Sequence, residues 1–238
     1  MPYKPFLFKK FKVNQNKSAM KIGTDAVLLG AWTSINRNPF SVLDIGAGTG
    51  VVALMLAQRC YAELIDAVEI EDNAYEQCTE NFEDSPWNDR LFCYHASLEA
   101  FVEEIDETYD LIVSNPPFYS DDFKSKNNQR DLARFEDALP FDHLLDSVSK
   151  LLSSNGLFSV IIPFKEEQSF MDIATSFNLF PKRILRVKGN PNSDTKRSLI
   201  EFSFTKGQVE TNDLIIENGR HQYTQDYVNL TKDFYLKM

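Results

Sequence analysis

The chain has 238 residues, 43% of them hydrophobic, and a formal net charge of −10 at pH 7. That length suits one α/β core and is short for two domains, while the acidic balance excludes a protein that coats nucleic acid without selectivity. With no apolar run of membrane-spanning length, no signal peptide, and Cys60, Cys78 and Cys93 lacking C-x-x-C spacing, the expectation is a cytoplasmic, reducing setting, no membrane contact and no metal.

The amino-terminal segment is basic. Residues 1–21 hold six lysines (Lys4, Lys9, Lys10, Lys12, Lys17, Lys21) and no acid. From residue 41 strands alternate with helical runs: strands at 41–46, 64–70, 90–95, 109–114 and 156–163, helices near 50–59, 72–83, 97–104, 140–152 and 165–178. Such alternation predicts a mostly parallel sheet with helices on both faces. Lys182 to Val187 and Ser198 to Thr205 read as two more strands joined by Gly189-Asn190-Pro191-Asn192-Ser193, a hairpin at the sheet edge with one strand antiparallel. The expected fold is therefore α/β and Rossmann-like, with seven strands. A single domain over 1–238 is expected, with an extension (1–40) that contributes to the site, a core (41–205) and a tail (206–238).

Within this frame the first strand, Val42-Leu43-Asp44-Ile45, runs into Gly46-Ala47-Gly48-Thr49-Gly50 and then into a helix former. A strand, a glycine turn and a helix at the carboxyl end of a doubly wound sheet is the layout of a nucleotide-like cofactor site. The spacing is G-x-G-x-G, so the dinucleotide fingerprint is not met. The second strand ends in Glu69, 23 residues beyond Gly46, where a carboxylate can accept from both hydroxyls of a ribose. Glu71 is better placed to open the next helix, and Asp66 lies inside the strand and reads as structural.

After the fourth strand comes Asn115-Pro116-Pro117-Phe118. On its own this is either a turn or a site for chemistry on an amino nitrogen, and the upstream glycine segment favours the second. An amine conjugated to a purine is a poor nucleophile. A carboxamide oxygen and a backbone carbonyl side by side can accept both its hydrogens and draw it toward a tetrahedral geometry. The prolines fix the backbone, and an aromatic side chain can stack on an extruded base. The polar stretch Tyr119 to Asp137 is long for a connection and reads as a loop over the substrate.

With these elements in place, the chain resembles the class I S-adenosylmethionine-dependent methyltransferases of the N6-adenine and glutamine-amide type, over roughly residues 20 to 205. More narrowly, Lys21-Ile22-Gly23-Thr24-Asp25-Ala26-Val27-Leu28-Leu29-Gly30-Ala31-Trp32 and the tail Tyr223 to Leu236 are similar to the bacterial tRNA1(Val) adenine-N6 methyltransferases. The resemblance implies S-adenosyl-L-methionine as cofactor, tRNA as partner, and a place for Asp25 near the methionine part of the cofactor. It also exposes a departure, because the third strand leads to Ser97 where such enzymes carry an Asp that reads the cofactor's adenine.

The expected site is then Asn115, Pro116, Pro117 and Phe118 for catalysis, with Asp25, Asp44, Gly46, Gly48, Gly50, Glu69, Ser97 and Asn115 around the cofactor. Phe118, Lys9, Lys10, Lys12, Arg183 and Arg186 are expected to meet tRNA. Residues 182–197 add six cations against Asp194 alone; together with residues 1–21 they hold 12 of the 25 basic side chains, leaving the rest of the chain at −21. Such segregation fits a confined phosphate-binding face, or else two solvated segments. A protein glutamine-amide methyltransferase and a non-catalytic scaffold remain as other readings. Nothing in the sequence fixes the oligomeric state, and a monomer is the expectation.

Overall fold

A computed structural model describes residues 4–117 and 139–238. Two short strands, β1 (Phe6–Leu7) and β2 (Lys12–Val13), pair antiparallel and lead to α1 (Thr24–Trp32). The core follows as β3 (Ser41–Ile45), α2 (Val51–Arg59), β4 (Leu64–Glu69), α3 (Asp72–Glu83), β5 (Leu91–His95), α4 (Leu98–Glu104) and β6 (Tyr109–Ser114). Beyond residue 138 come α5 (Phe141–Leu151), β7 (Leu152–Pro163), a 3-10 turn (Phe164–Glu166), α6 (Glu167–Ser176), β8 (Phe180–Lys188) and β9 (Thr195–Ser203). The tail forms β10 (Glu210–Ile215), β11 (Glu217–Gly219), β12 (Gln222–Tyr223) and α7 (Gln225–Thr231).

The main sheet has eight strands in the order β10-β8-β9-β7-β6-β3-β4-β5. Seven run parallel and β9 alone runs against them. One strand more is present than expected, and the hairpin β8–β9 is inside the sheet because β10 covers it. The sequence Glu210-Thr211-Asn212-Asp213 hides this strand: an edge strand with four exposed residues and only Leu214 buried needs no hydrophobic alternation. Strand β7 also begins four residues earlier than expected, through Ser153-Ser154-Asn155, whose turn-forming composition is overridden by pairing of Leu152 with Tyr109 across a register shift.

Every residue of β3 is buried, as befits a central strand covered on both faces. One core layer packs α1 and α2 on the sheet; the other packs α4, α5 and α6. Helix α1 is apolar all round, with Ala26 to Ala31 buried, because α2, α7 and β7 surround it. The chain winds from β3 through β4 to β5, then returns to the other side of β3 as β6. That reversal opens a crevice at the carboxyl ends of β3 and β6, the place where doubly wound sheets bind ligands.

Candidate active site

At the tip of β3 the backbone turns through Gly46 (φ 71°), Gly48 (φ 57°) and Gly50 (φ 75°), all in the left-handed region that favours glycine. A Cβ on Gly46 or Gly48 would meet nothing within 4 Å, so both face open space, whereas one on Gly50 would come within 2.5 Å of the Phe82 ring and 2.8 Å of Cys78 Sγ. The first two glycines thus form a cradle and the third permits close packing of α2 on α3.

Two carboxylates shape this loop from below. Glu69 Oε2 accepts from Gly48 N (2.8 Å), and Oε1 accepts from Ile70 N (2.9 Å) and Glu71 N (3.0 Å). A carboxylate offers about four acceptor positions, so Glu69 locks the cradle to the end of β4 and keeps capacity for a ligand. Asp44 Oδ2 accepts from Ala53 N (3.1 Å), capping α2 from the preceding strand because Gly50 has no side chain to do it. Burial pushes the Asp44 carboxyl up to about 7; the Ala53 hydrogen bond opposes the shift and the nearby Glu69 charge adds to it.

The neighbouring turns are helix starts. Glu71 accepts from Asn73 N (3.1 Å) and Ala74 N (2.7 Å) to cap α3, as its place in the sequence suggests. Ser97 Oγ accepts from Ala100 N (3.2 Å) and caps α4, so the hydroxyl expected near the cofactor's adenine is already shared with a helix. A capping serine three residues ahead of an amide is a signal the sequence carries.

Across the crevice, β6 ends in Ser114, whose Oγ donates to Ile45 O (3.0 Å) and ties the two strand ends together. Sequence reasoning passed over this residue; its signal is a buried hydroxyl immediately before the Asn-Pro-Pro. Asn115 is half-buried, Pro116 buried and Pro117 exposed. The Asn115 carboxamide makes no hydrogen bond to another described residue, so its oxygen is available to an incoming donor. Phe118 and the stretch Tyr119 to Asp137 lie outside the described residues.

On the rim, Asp25 in the first turn of α1 accepts from Arg197 Nε (2.8 Å) at the start of β9. Arg183 and Arg186 are three apart on β8 and therefore lie on opposite faces of the sheet. Arg183 pairs with Glu201 (2.9 Å) and stacks on Trp32 (4.4 Å), whereas Arg186 pairs with Glu167 (2.7 Å) and lies over Phe164 (5.5 Å). Lys9 and Lys10 are at the other end of the molecule, where they join Gln58 and Arg59 around a depression of about 550 Å³ at the far end of α2. Lys9 Nζ donates to Lys232 O (2.5 Å), and Lys12 pairs with Asp84 (3.2 Å). The structure thus joins the glycine cradle, Glu69, Asp44, Asn115 and Asp25 at one end and sets Lys9 and Lys10 apart from them. No cluster of His, Cys, Asp or Glu able to hold a metal occurs among the described residues, and none of their helices is long and apolar enough to cross a membrane.

A family model described as "Methyltransferase small domain" matches residues 16–139. The tRNA1(Val) (adenine(37)-N6)-methyltransferase of Flavobacterium psychrophilum is 61% identical over 233 residues, covering 98% of this chain and 100% of that one. The chain belongs to this methyltransferase family. A relative of the same name from Flavobacterium johnsoniae is 59% identical, again across 98% of this chain and all of its own length. Among solved structures, one titled a "predicted O-methyltransferase" from Agrobacterium tumefaciens superposes with a TM-score of 0.69 at 19% identity, covering 88% of this chain and 96% of that one. That likeness concerns the fold.

Proposed function

We propose that this protein methylates the exocyclic N6 amine of an adenosine in tRNA, with S-adenosyl-L-methionine as donor, and that its substrate is the adenosine at position 37 of tRNA1(Val) named for its relatives. What supports the reading is that Asn115 and Pro116 follow directly on Ser114 at the tip of β6, which pairs with Ile45 one strand spacing away, just before the glycine turn whose Gly46 and Gly48 border open space. When bound, S-adenosylmethionine supplies an electrophilic methyl group on a sulfonium. Gly46 and Gly48 leave room for it, and Glu69 accepts from its ribose while holding the cradle in shape. Asp25, Asp44 and Ser97 complete the cofactor side.

The chain's own part in the chemistry is orientation and polarisation. Asn115 Oδ1 and the Pro116 carbonyl accept the two amine hydrogens, so the nitrogen's lone pair is no longer conjugated with the ring. Pro116 and Pro117 hold those acceptors still. Phe118 stacks on the base, a role that rests on its sequence position. Transfer would form the N–C bond as the methyl's bond to sulfur breaks, with the neutral thioether S-adenosylhomocysteine leaving, and the proton the nitrogen sheds would pass to water, so no strong base is needed. Of the cations expected to meet tRNA, Arg186 stands toward the crevice end of β8, while Lys9 and Lys10 lie at the far end of α2 and would meet only a more distant part of the tRNA; the setting is the cytoplasm.

Treating unmodified bacterial tRNA with the pure protein and S-adenosylmethionine, then mapping nucleosides by mass, tests this. N6-methyladenosine at one anticodon-loop position is expected. Methylation of a protein glutamine instead, or of nothing, would overturn the reading.

A further inference from the structure

We propose that Phe164 and Arg186 form a stacking platform for a nucleotide flanking the methylated adenosine, an inference that rests on the tRNA reading above. Ser114 at the end of β6 lies opposite Val160 of the neighbouring β7, and β7 continues for three more residues to Pro163. At about 3.3 Å per residue, Phe164, four residues beyond Val160, therefore stands roughly 13 Å above the row of Ser114 and one strand spacing to its side, on the rim of the crevice beside Asn115. It is a large aromatic residue left 38% exposed beside the site, at the head of a 3-10 turn whose preceding residue, Pro163, fixes the backbone.

Arg186 is built to stay beside it. Its Nε and Nη2 donate to both oxygens of Glu167 at 2.7–3.2 Å. Glu167 is buried and its Oε2 accepts from Ser198 Oγ (2.5 Å), so the guanidinium plane is fixed in advance over the Phe164 ring at 5.5 Å. The other edge of the guanidinium makes no hydrogen bond to a described residue. Lys188, two residues beyond Arg186 at the end of β8 and so on the same face of the sheet, gives the platform a cation for an adjoining phosphate. Flat π-faces and a planar cation are what an unstacked nucleobase binds, whatever its identity.

The test uses full-length protein, S-adenosylmethionine and a tRNA transcript carrying 2-aminopurine on one side or the other of the target adenosine. In the wild-type complex the fluorescence of one of these probes is expected to be quenched by stacking. Phe164→Ala should lose that quenching and raise KM for tRNA about tenfold, with kcat and S-adenosylmethionine affinity within twofold of wild type; Phe164→Trp should restore both quenching and KM. Arg186→Lys should give an intermediate KM because an ammonium cannot replace the plane. If Phe164→Ala methylates tRNA with unchanged KM and an unchanged probe signal, the platform is wrong while the tRNA reading stands. If the wild type methylates no tRNA, the reading beneath it fails as well.

Discussion

Glu69 holds the cradle through backbone hydrogen bonds and, in the proposed reading, also grips the cofactor's ribose. Its three backbone hydrogen bonds fix the cradle at Gly48 and the exit of β4, and hydrogen bonds to a charged group are worth about 1.5–3 kcal/mol each. Glu69→Ala should lower S-adenosylmethionine affinity at least tenfold and lower the melting temperature too, because three backbone amides lose their acceptor. Glu69→Gln, which keeps one acceptor oxygen, should fall between. Calorimetry that found wild-type affinity in the Ala variant would remove Glu69 from the cofactor site. Asn115 should separate the two functions: its carboxamide holds no structural partner among the described residues, so Asn115→Ala should leave stability and cofactor affinity near wild type. Methyl transfer should slow by about 10²–10³, the range for removing one preorganised polar group at a reacting centre. Full turnover in that variant would discard the proposed mechanism.

At the scale of the elements, β4 and β6 carry a buried pair that the chemistry does not use. Tyr109 Oη donates to Asp66 Oδ2 at 2.6 Å, while Asp66 Oδ1 has no partner. Burial raises the Asp66 carboxyl to about 6, the Tyr109 hydrogen bond acting against that shift; burial followed by the Asp66 contact raises the Tyr109 hydroxyl as well. A carboxyl whose folded pKa exceeds its unfolded value favours the fold fully at pH below the unfolded value near 4, and that contribution is lost as pH rises through about 6. Asp66→Asn cannot ionise and should therefore gain on the wild type by up to roughly 2–3 kcal/mol between pH 4 and pH 7. Denaturant titrations of both proteins at the two pH values check this, and a difference independent of pH would show that Asp66 is not raised. Sequence position alone marked Asp66 as structural, and its contacts agree.

For the whole molecule, the cations divide between two ends. Lys9, Lys10 and Arg59 surround the depression at the far end of α2; Arg186, Lys188 and Arg197 line the rim of the crevice. A tRNA is large enough to span both, and each phosphate contact steepens the salt dependence of binding by about one unit. Replacing Lys9, Lys10 and Lys12 together with Ala should weaken tRNA binding and flatten the salt slope by up to about three units, with S-adenosylmethionine affinity unchanged. An unchanged slope would assign the phosphate contacts to the crevice end alone.

The sequence by itself determined the parts whose cause is local. The continuous apolar run of β3 and the alternation of strands with helices marked the parallel core, since covering both faces of a strand demands that composition. The left-handed turns at Gly46, Gly48 and Gly50 were legible because few other residues adopt them, and Glu71 was legible as a cap because a carboxylate at a helix start has local partners. Tertiary structure decided what depends on residues far apart in the chain. The polar segment Glu210–Ile215 becomes a strand only because the edge of β8 offers it hydrogen bonds. Asp44 becomes a helix cap and acquires a raised pKa only through burial beside Ala53 and Glu69. Arg183 and Arg186, three apart in sequence, part to opposite faces and to different carboxylates once the backbone is a strand. Charge counting could not separate them, because a net charge records how many cations a segment holds and not which acids the fold brings within 3 Å of them.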